Sequence, residues 1–288
     1  MRTLLIATAT LALCATPAFA KKDKVVFVET SAVKDKPVVA LDPAKAYVLV
    51  RSDGAIPLHL MRVPSAEDQV KYDELKAEAF AEAREKYMKK QAAYDKAKAA
   101  NDKMSKSAQR PPLPEKPVEP TEANFEFTPF GLLTGVSVGP FNRFAKGKDG
   151  DKTSTYLQEI TPGSYRIYGM MSVIPNGGAF GSCFCMGSVK FEAKAGEITD
   201  LGRFASREVA KRESGDNAKP IEMAFDFQPA VAGPAPDPRL GSATIRPALL
   251  KPVGKLPNYF GMTIDRLPPV AGVMRYDRDR IVDLTTGN

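Results

Sequence analysis

From Ser65 to about Lys106 the chain contains neither glycine nor proline, and the stretch is dense in alanine, lysine and glutamate. These residues lose little side-chain freedom in a helix, so the segment predicts one helix of roughly 60 Å at about 1.5 Å per residue. Ser65 stands where an N-cap belongs, and Glu67 and Asp68 follow at the positive end of the helix dipole. Phe80, Tyr87 and Tyr94 recur every seventh residue, with Ala83, Ala97 and Met104 on an adjoining line and Lys90 interrupting it. That spacing draws a narrow apolar stripe along a charged rod. Asn101-Asp102 is a plausible break. Two outcomes are open: Phe80, Tyr87 and Tyr94 form the contact face of a coiled-coil or partner-binding arm, or the stripe packs along the protein's own body while the charges stay solvated.

The rod is an insertion, because a β pattern stops before it and resumes after it. Lys24 to Glu29, Ala46 to Arg51 and Ile56 to Arg62 are short runs of β-branched or large apolar residues that predict strands, and Asp53-Gly54 predicts a tight hairpin between the last two. Beyond the rod, Arg110 to Pro120 holds five prolines in eleven residues, which favours an extended polyproline strap carrying the chain back from the far end. Strands are expected again near Asn124-Phe125-Glu126-Phe127, then over Leu132 to Val138, Thr155 to Glu159, Thr161 to Tyr168, Ser188 to Ala193 and Ile221 to Phe227. Pro162-Gly163, the run Pro175 to Gly178, and Ala195-Gly196-Glu197 supply the turns. Lys211 to Lys219 and Ala230 to Pro238 read as loops, and the Pro-rich tail has extended pieces at Tyr259 to Ile264, Val273 to Tyr276 and Ile281 to Leu284.

The expected fold is therefore mainly β: a β-sandwich with a long α-helical insertion, a Pro-rich return strap and an extended C-terminal tail. Its parts are a signal peptide (1–20), first sandwich strands (21–63), the helical insertion (64–108), the strap (109–123), the remaining strands (124–242) and a wrapping tail (243–288).

Met1 to Ala20 begins with Arg2, continues with an apolar stretch from Leu4 to Leu13, and ends in Ala18-Phe19-Ala20 before Lys21. That is the order of a secretory signal peptide and its cleavage site. Leu11-Ala12-Leu13-Cys14 resembles a lipoprotein box, but Leu13 occupies the place of a small residue. No later stretch is long and apolar enough to span a bilayer, so a periplasmic or secreted location is expected. The formal charge of +7 falls by one without Arg2. Outside the cytoplasm nucleic acid is not an expected partner, whereas an envelope protein or a cell-wall polymer is.

Gly135-Val136-Ser137-Val138-Gly139 matches the serine-hydrolase nucleophile pattern, yet Pro140-Phe141-Asn142 opens no helix. The chain's one histidine, His59, precedes the serine instead of following it and an acid. A single histidine also excludes the two- and three-histidine zinc sites, and there is no phosphate loop. His59 is expected at the surface or half-buried. Cys183-Phe184-Cys185-Met186 holds the only cysteines left after leader removal. In an oxidising compartment Cys183 and Cys185 could form a disulfide across a local kink, or stay as buried thiols. A third option is a soft Cu(I) site of Cys183, Cys185 and Met186, with Met170 or Met171 from the preceding strand.

The segment Pro162-Gly163-Ser164-Tyr165-Arg166-Ile167, with Cys185 to Phe191 and Ala195-Gly196-Glu197, resembles exported bacterial proteins. Its Pro-Gly-x-Tyr strand opening and Ala-Gly-Glu turn look like the prealbumin-like sandwich of transthyretin and carboxypeptidase regulatory-like domains. The resemblance covers about 45 residues and implies a sandwich used for adhesion, assembly or protein contact, with no catalytic residues and no cofactor. The expected function is a non-enzymatic structural or protein-interaction module of the cell envelope. A periplasmic copper or redox protein centred on Cys183 and Cys185 is the alternative, and a cell-wall-active enzyme the third.

Overall fold

The structure, a computed structural model, describes residues 25–104, 111–147, 151–174, 178–208, 223–233 and 237–286. The expected signal peptide (1–20), the last residues of the expected insertion (105–108) and the expected loop at 211–219 lie outside the described residues.

In chain order, β1 (Thr30–Ala32), β2 (Ala46–Ser52) and β3 (Leu58–Arg62) precede one long helix, α1 (Ala66–Lys103). A single helical turn, α2 (Phe130–Leu133), leads into β4 (Gly135–Val138), β5 (Ala145–Lys146), β6 (Ser154–Ile160) and β7 (Gly163–Ile174). Then come β8 (Gly178–Cys183), β9 (Ser188–Ala193), β10 (Glu197–Glu208) and β11 (Met223–Gln228). The tail adds β12 (Thr244–Pro247), β13 (Lys251–Val253), β14 (Thr263–Ile264) and a hairpin of β15 (Met274–Asp277) and β16 (Arg280–Asp283).

The protein is mainly β, with two sheets that each have seven strands among the described residues. The first runs β1-β6-β2-β10-β11, with β5 along β6 and β12 along β10; the second runs β13-β9-β7-β3-β4, with β8 on the later half of β7 and β14 on β8. Both sheets contribute to one apolar cluster: Val48, Val50 and Phe204 from the first meet Leu60, Ile167 and Phe191 from the second. Each such side chain contributes on the order of 1.5–3 kcal/mol by leaving water. The continuous apolar run of β2 follows from its position, since its odd-numbered residues are covered too. Tyr47 and Leu49 lie in a second cluster with Leu157, Ile198 and Leu240, so the strand is buried on both faces and does not alternate.

Four expected strand features are overturned, the first being the run Leu132 to Val138, whose first two residues belong to the helical turn α2 so that the strand begins only at Gly135. Asp53-Gly54 makes no hairpin, because β2 belongs to the first sheet and β3 to the second. The chain changes sheets there because Asp53 is engaged elsewhere, its Oδ1 accepting from Ser206 N on β10 at 2.7 Å, while Ile56 is drawn into the shared core. Residues 25–29 form no strand. Phe27 is buried instead, and pairing begins at Thr30, which lies opposite Ile160. Phe125-Glu126-Phe127 is likewise outside any strand, because its rings pack on the helix. The expected break at Asn101-Asp102 is also absent, since α1 continues through it. In the tail, β12 pairs with β10, β13 with β9 and β14 with β8, while Leu256, Leu267 and Val270 are buried.

Candidate functional site

The long helix is built at its base by a reciprocal cap. Ser65 Oγ accepts from Asp68 N at 3.1 Å, and Asp68 Oδ2 accepts from Ser65 N at 2.9 Å, which satisfies two main-chain donors that a helix start otherwise leaves orphaned. Arg62 on β3 donates to the same carboxylate at 2.6 Å and to Phe27 O at 3.1 Å. Both charged side chains are only 13% exposed. Burial alone would raise the Asp68 pKa, but the bonds from Ser65 and the Arg62 charge outweigh it and hold the carboxyl below its usual range. One residue thus caps the helix and ties it to the body. Higher up, Glu67–Lys71 and Glu85–Lys89 pair at 2.6 Å one turn apart, in the order that also suits the helix dipole.

Asn101 is the sole buried residue of α1, and no described strand packs along the helix. Its neighbour is the Pro-rich segment of its own chain. At the far end Asn101 Nδ2 donates to Pro111 O at 2.8 Å, and near the base the Tyr72 hydroxyl donates to Thr128 O at 3.1 Å. These contacts order the segment antiparallel to the helix. The distance fits: about 29 helical residues rise roughly 43 Å, and about 17 residues of polyproline-like chain reach roughly 53 Å. The slack is taken up by a turn in which Thr121 N donates to Asn124 Oδ1 at 2.7 Å and Phe125 N to Thr121 O at 2.9 Å.

An aromatic ladder joins the helix to this segment and to the body. Phe80 meets Phe125 with ring centres 5.1 Å apart, Tyr72 meets Phe127 at 5.4 Å and stacks on Phe130 at 4.5 Å, and Phe130 meets Phe27 edge-on at 4.8 Å. Such pairs contribute about 0.5–1.5 kcal/mol each beyond area burial. Sequence reasoning missed Phe125 and Phe127 as members of this structure, although their place directly after the prolines was a signal. Of the three stripe residues, Phe80 is therefore engaged within the chain. Tyr87 and Tyr94 are half-buried and line an open groove of about 670 Å³, with Lys86 and Lys90 on the helix side and Pro117 and Val118 opposite.

The cysteine group lies on the outer face of the second sheet, with Tyr168 and Met171, whereas Ile167 and Met170 of the same strand face the shared core. Cys183 and Cys185 are joined as a disulfide with Cα atoms 5.2 Å apart, and Gly187 N donates to Phe184 O at 3.3 Å in the turn that follows. Both cysteines are buried beside Tyr168, Met171, Leu256 and Met262. Of the methionines considered as copper ligands, Met171 shares this cluster, Met170 faces the shared core of the two sheets, and Met186 is in neither cluster. Closing a loop of about three residues restricts the unfolded chain little, about 1.6 kcal/mol in the chain-entropy picture.

Ser137 sits inside β4, directly opposite His59 on β3. It is on a regular strand and not on the sharp strand-to-helix turn that exposes a hydrolase nucleophile. His59 is half-buried and hydrogen-bonded to the main chain of Met171, and burial lowers its pKa to about 4. The unfolded chain binds this proton near pH 6.5, the folded chain not until about pH 4. Stability is then full above pH 6.5 and falls as the pH drops to 4, by up to about 3 kcal/mol. Urea unfolding at pH 7 and pH 4.5 is expected to show a smaller acid loss for His59→Gln than for the parent chain; equal losses would contradict this.

Comparison with protein families, curated proteins and solved structures gives no match.

Proposed function

We propose that this chain is a non-enzymatic, exported module of the cell envelope: a two-sheet body, read as a β-sandwich of the prealbumin-like kind, that carries a helical arm for contact with another macromolecule. Residues 109–123 act as the arm's return strap. The observation that carries the reading is the 38-residue length of α1 together with the lack of any described strand packed along it beyond its first turn, where Arg62 of β3 holds Asp68. A helix kept only for the fold of this body would lay its apolar stripe on a sheet, whereas this one lays it on a second segment of the same insertion. The two segments stiffen one another. The groove at Tyr87 and Tyr94 stays open, and its aromatic walls with Lys86 and Lys90 at the rim suit an envelope protein or an anionic cell-wall polymer.

A photo-crosslinking side chain in place of Lys90, in cells carrying the native envelope, is expected to give a discrete adduct. Adding Tyr87→Glu should abolish that adduct with little change in melting temperature, because Tyr87 lies beyond the aromatic ladder that anchors the arm. An adduct unaffected by Tyr87→Glu would count against the reading. A collapsed melting temperature would show Tyr87 to be a structural member of the arm instead.

A further inference from the structure

We infer that the outer face of α1 pairs with the same face of a second copy of this chain, the two arms running antiparallel. The inference rests on the arm reading above and names one partner for it. Val70, Ala77, Ala81, Met88, Ala92 and Ala99 follow one another at steps of seven, four, seven, four and seven residues, and every one is exposed. At about 100° per residue they fall within about 60° of one another, roughly 135° around the helix from the stripe that faces the Pro-rich segment. Val70 and Met88 are 58% and 60% exposed, and the alanines between them let another helix approach closely.

Charge selects the occupant and its direction. From Glu67 to Glu85 the helix has seven acidic and three basic side chains, and from Lys86 to Lys103 it has six lysines and two aspartates. The helix dipole favours such charges only in its first and last turns, so it does not account for a division that continues to the middle. A parallel pair would set acid against acid along one half and lysine against lysine along the other. An antiparallel pair centred between Arg84 and Glu85 does the reverse on either side of its centre. At the two-fold axis Arg84 and Glu85 each meet their own copy, and Glu85 is already paired with Lys89 of its own helix at 2.6 Å. In that register Met88 faces Ala81, Val70 faces Ala99, Asp73 approaches Lys98, and Glu74 approaches Lys96. Each contact occurs twice about the two-fold axis. Asp95, which also nears Glu74, accepts from Gln91 of its own helix at 2.8 Å, as Asp73 does from Gln69 at 2.9 Å, which leaves the second oxygen of Asp73 for Lys98.

Two variants test the pairing by sedimentation velocity of the purified chain across a concentration series. The parent is expected to dimerise, more weakly at high salt. Lys96→Glu with Lys98→Glu, and separately Asp73→Lys with Glu74→Lys, should each raise the dimer Kd at least tenfold, since every altered contact then opposes like charges. Mixing the two variants should restore a heterodimer, because each supplies the charge the other lost. Circular dichroism melting of each variant checks that α1 is intact. A parent that stays monomeric, or variants that dimerise as the parent does with α1 intact, would overturn the inference; so would melted variants whose mixture gives no heterodimer. These failures are separable from failure of the arm reading, which is judged by whether Tyr87→Glu removes the Lys90-site adduct.

Discussion

Replacing Gly202 by alanine is expected to lower the free energy of unfolding by roughly 3–4 kcal/mol, a large share of the 5–15 kcal/mol typical of a domain. Gly202 lies at a bulge where β10 shifts register against β2. Its φ is +102°, and a Cβ there would lie 2.1 Å from Gln228 O and 2.6 Å from Ala230 N. Those are main-chain atoms at the end of β11, so no side chain can swing aside and the strand itself must move. The bulge is also held by polar bonds: Asp200 Oδ1 accepts from Gly202 N at 2.8 Å, and both Asp200 oxygens take an Arg51 nitrogen at 3.0 Å. Gly178 provides the control. Its φ is +88° but nothing lies within 4 Å of an added Cβ, so Gly178→Ala should cost only the positive-φ penalty, about 1 kcal/mol. Urea denaturation of both variants measures the difference, and similar losses would show that the close approach to β11 is not what makes Gly202 necessary.

The same bulge shows why part of the fold was illegible in the sequence. β10 pairs with β2, β11 and β12, yet Asp200 and Gly202 interrupt its apolar alternation, and no strand was expected between the turn at Gly196 and Ile221. β9 was readable to the residue, Ser188–Ala193, because its alternation is unbroken and turns bound it. The start of α1 was readable for the same kind of local reason, Ser65 and Asp68 being near neighbours. What local pattern cannot carry is the identity of the surface across the gap. Phe125 and Phe127 alternate like strand residues, but the groove they fill belongs to a helix some 45 residues earlier in the chain. The hairpin expected at Asp53-Gly54 failed likewise, since the turn residues permit a reversal and Asp53's bond to β10 decides where it leads. Cys183 and Cys185 form a third case. Residues two apart in a regular strand lie about 6.6 Å apart, and the 5.2 Å observed arises because the chain leaves β8 at Cys183 and turns at Phe184, a change of direction that Cys-x-Cys spacing alone leaves open.

Asp68→Ala is expected to destabilise the protein by about 3–4 kcal/mol, with the loss concentrated where the arm meets the body. Two separable costs contribute. Removing the carboxylate deprives Ser65 N of its acceptor and loosens the N-terminal cap, worth about 1 kcal/mol. It also leaves Arg62 charged and largely buried without its partner, typically the larger penalty at about 3 kcal/mol. Arg62 Nε already lacks a hydrogen-bond partner, so few neighbours stand ready to replace Asp68. The double variant Arg62→Met with Asp68→Ala should therefore recover most of the loss, because an apolar side chain of similar reach has no charge to leave unpaired. Acid should act in the same direction as the single substitution. The Asp68 carboxyl is held below its usual range in the folded chain, so its contribution is complete above the unfolded carboxylate pKa, near 4, and disappears as the pH falls through the lowered folded value. Hydrogen exchange locates the effect: Asp68→Ala should speed exchange in the first turns of α1 while β2 and β6 keep their protection relative to one another. Strictly additive losses in the double variant would show that Arg62 and Asp68 do not act as a pair. The arm would then owe its attachment to the ring contacts of Tyr72, Phe127 and Phe130, and Tyr72→Ala would become the substitution that frees it.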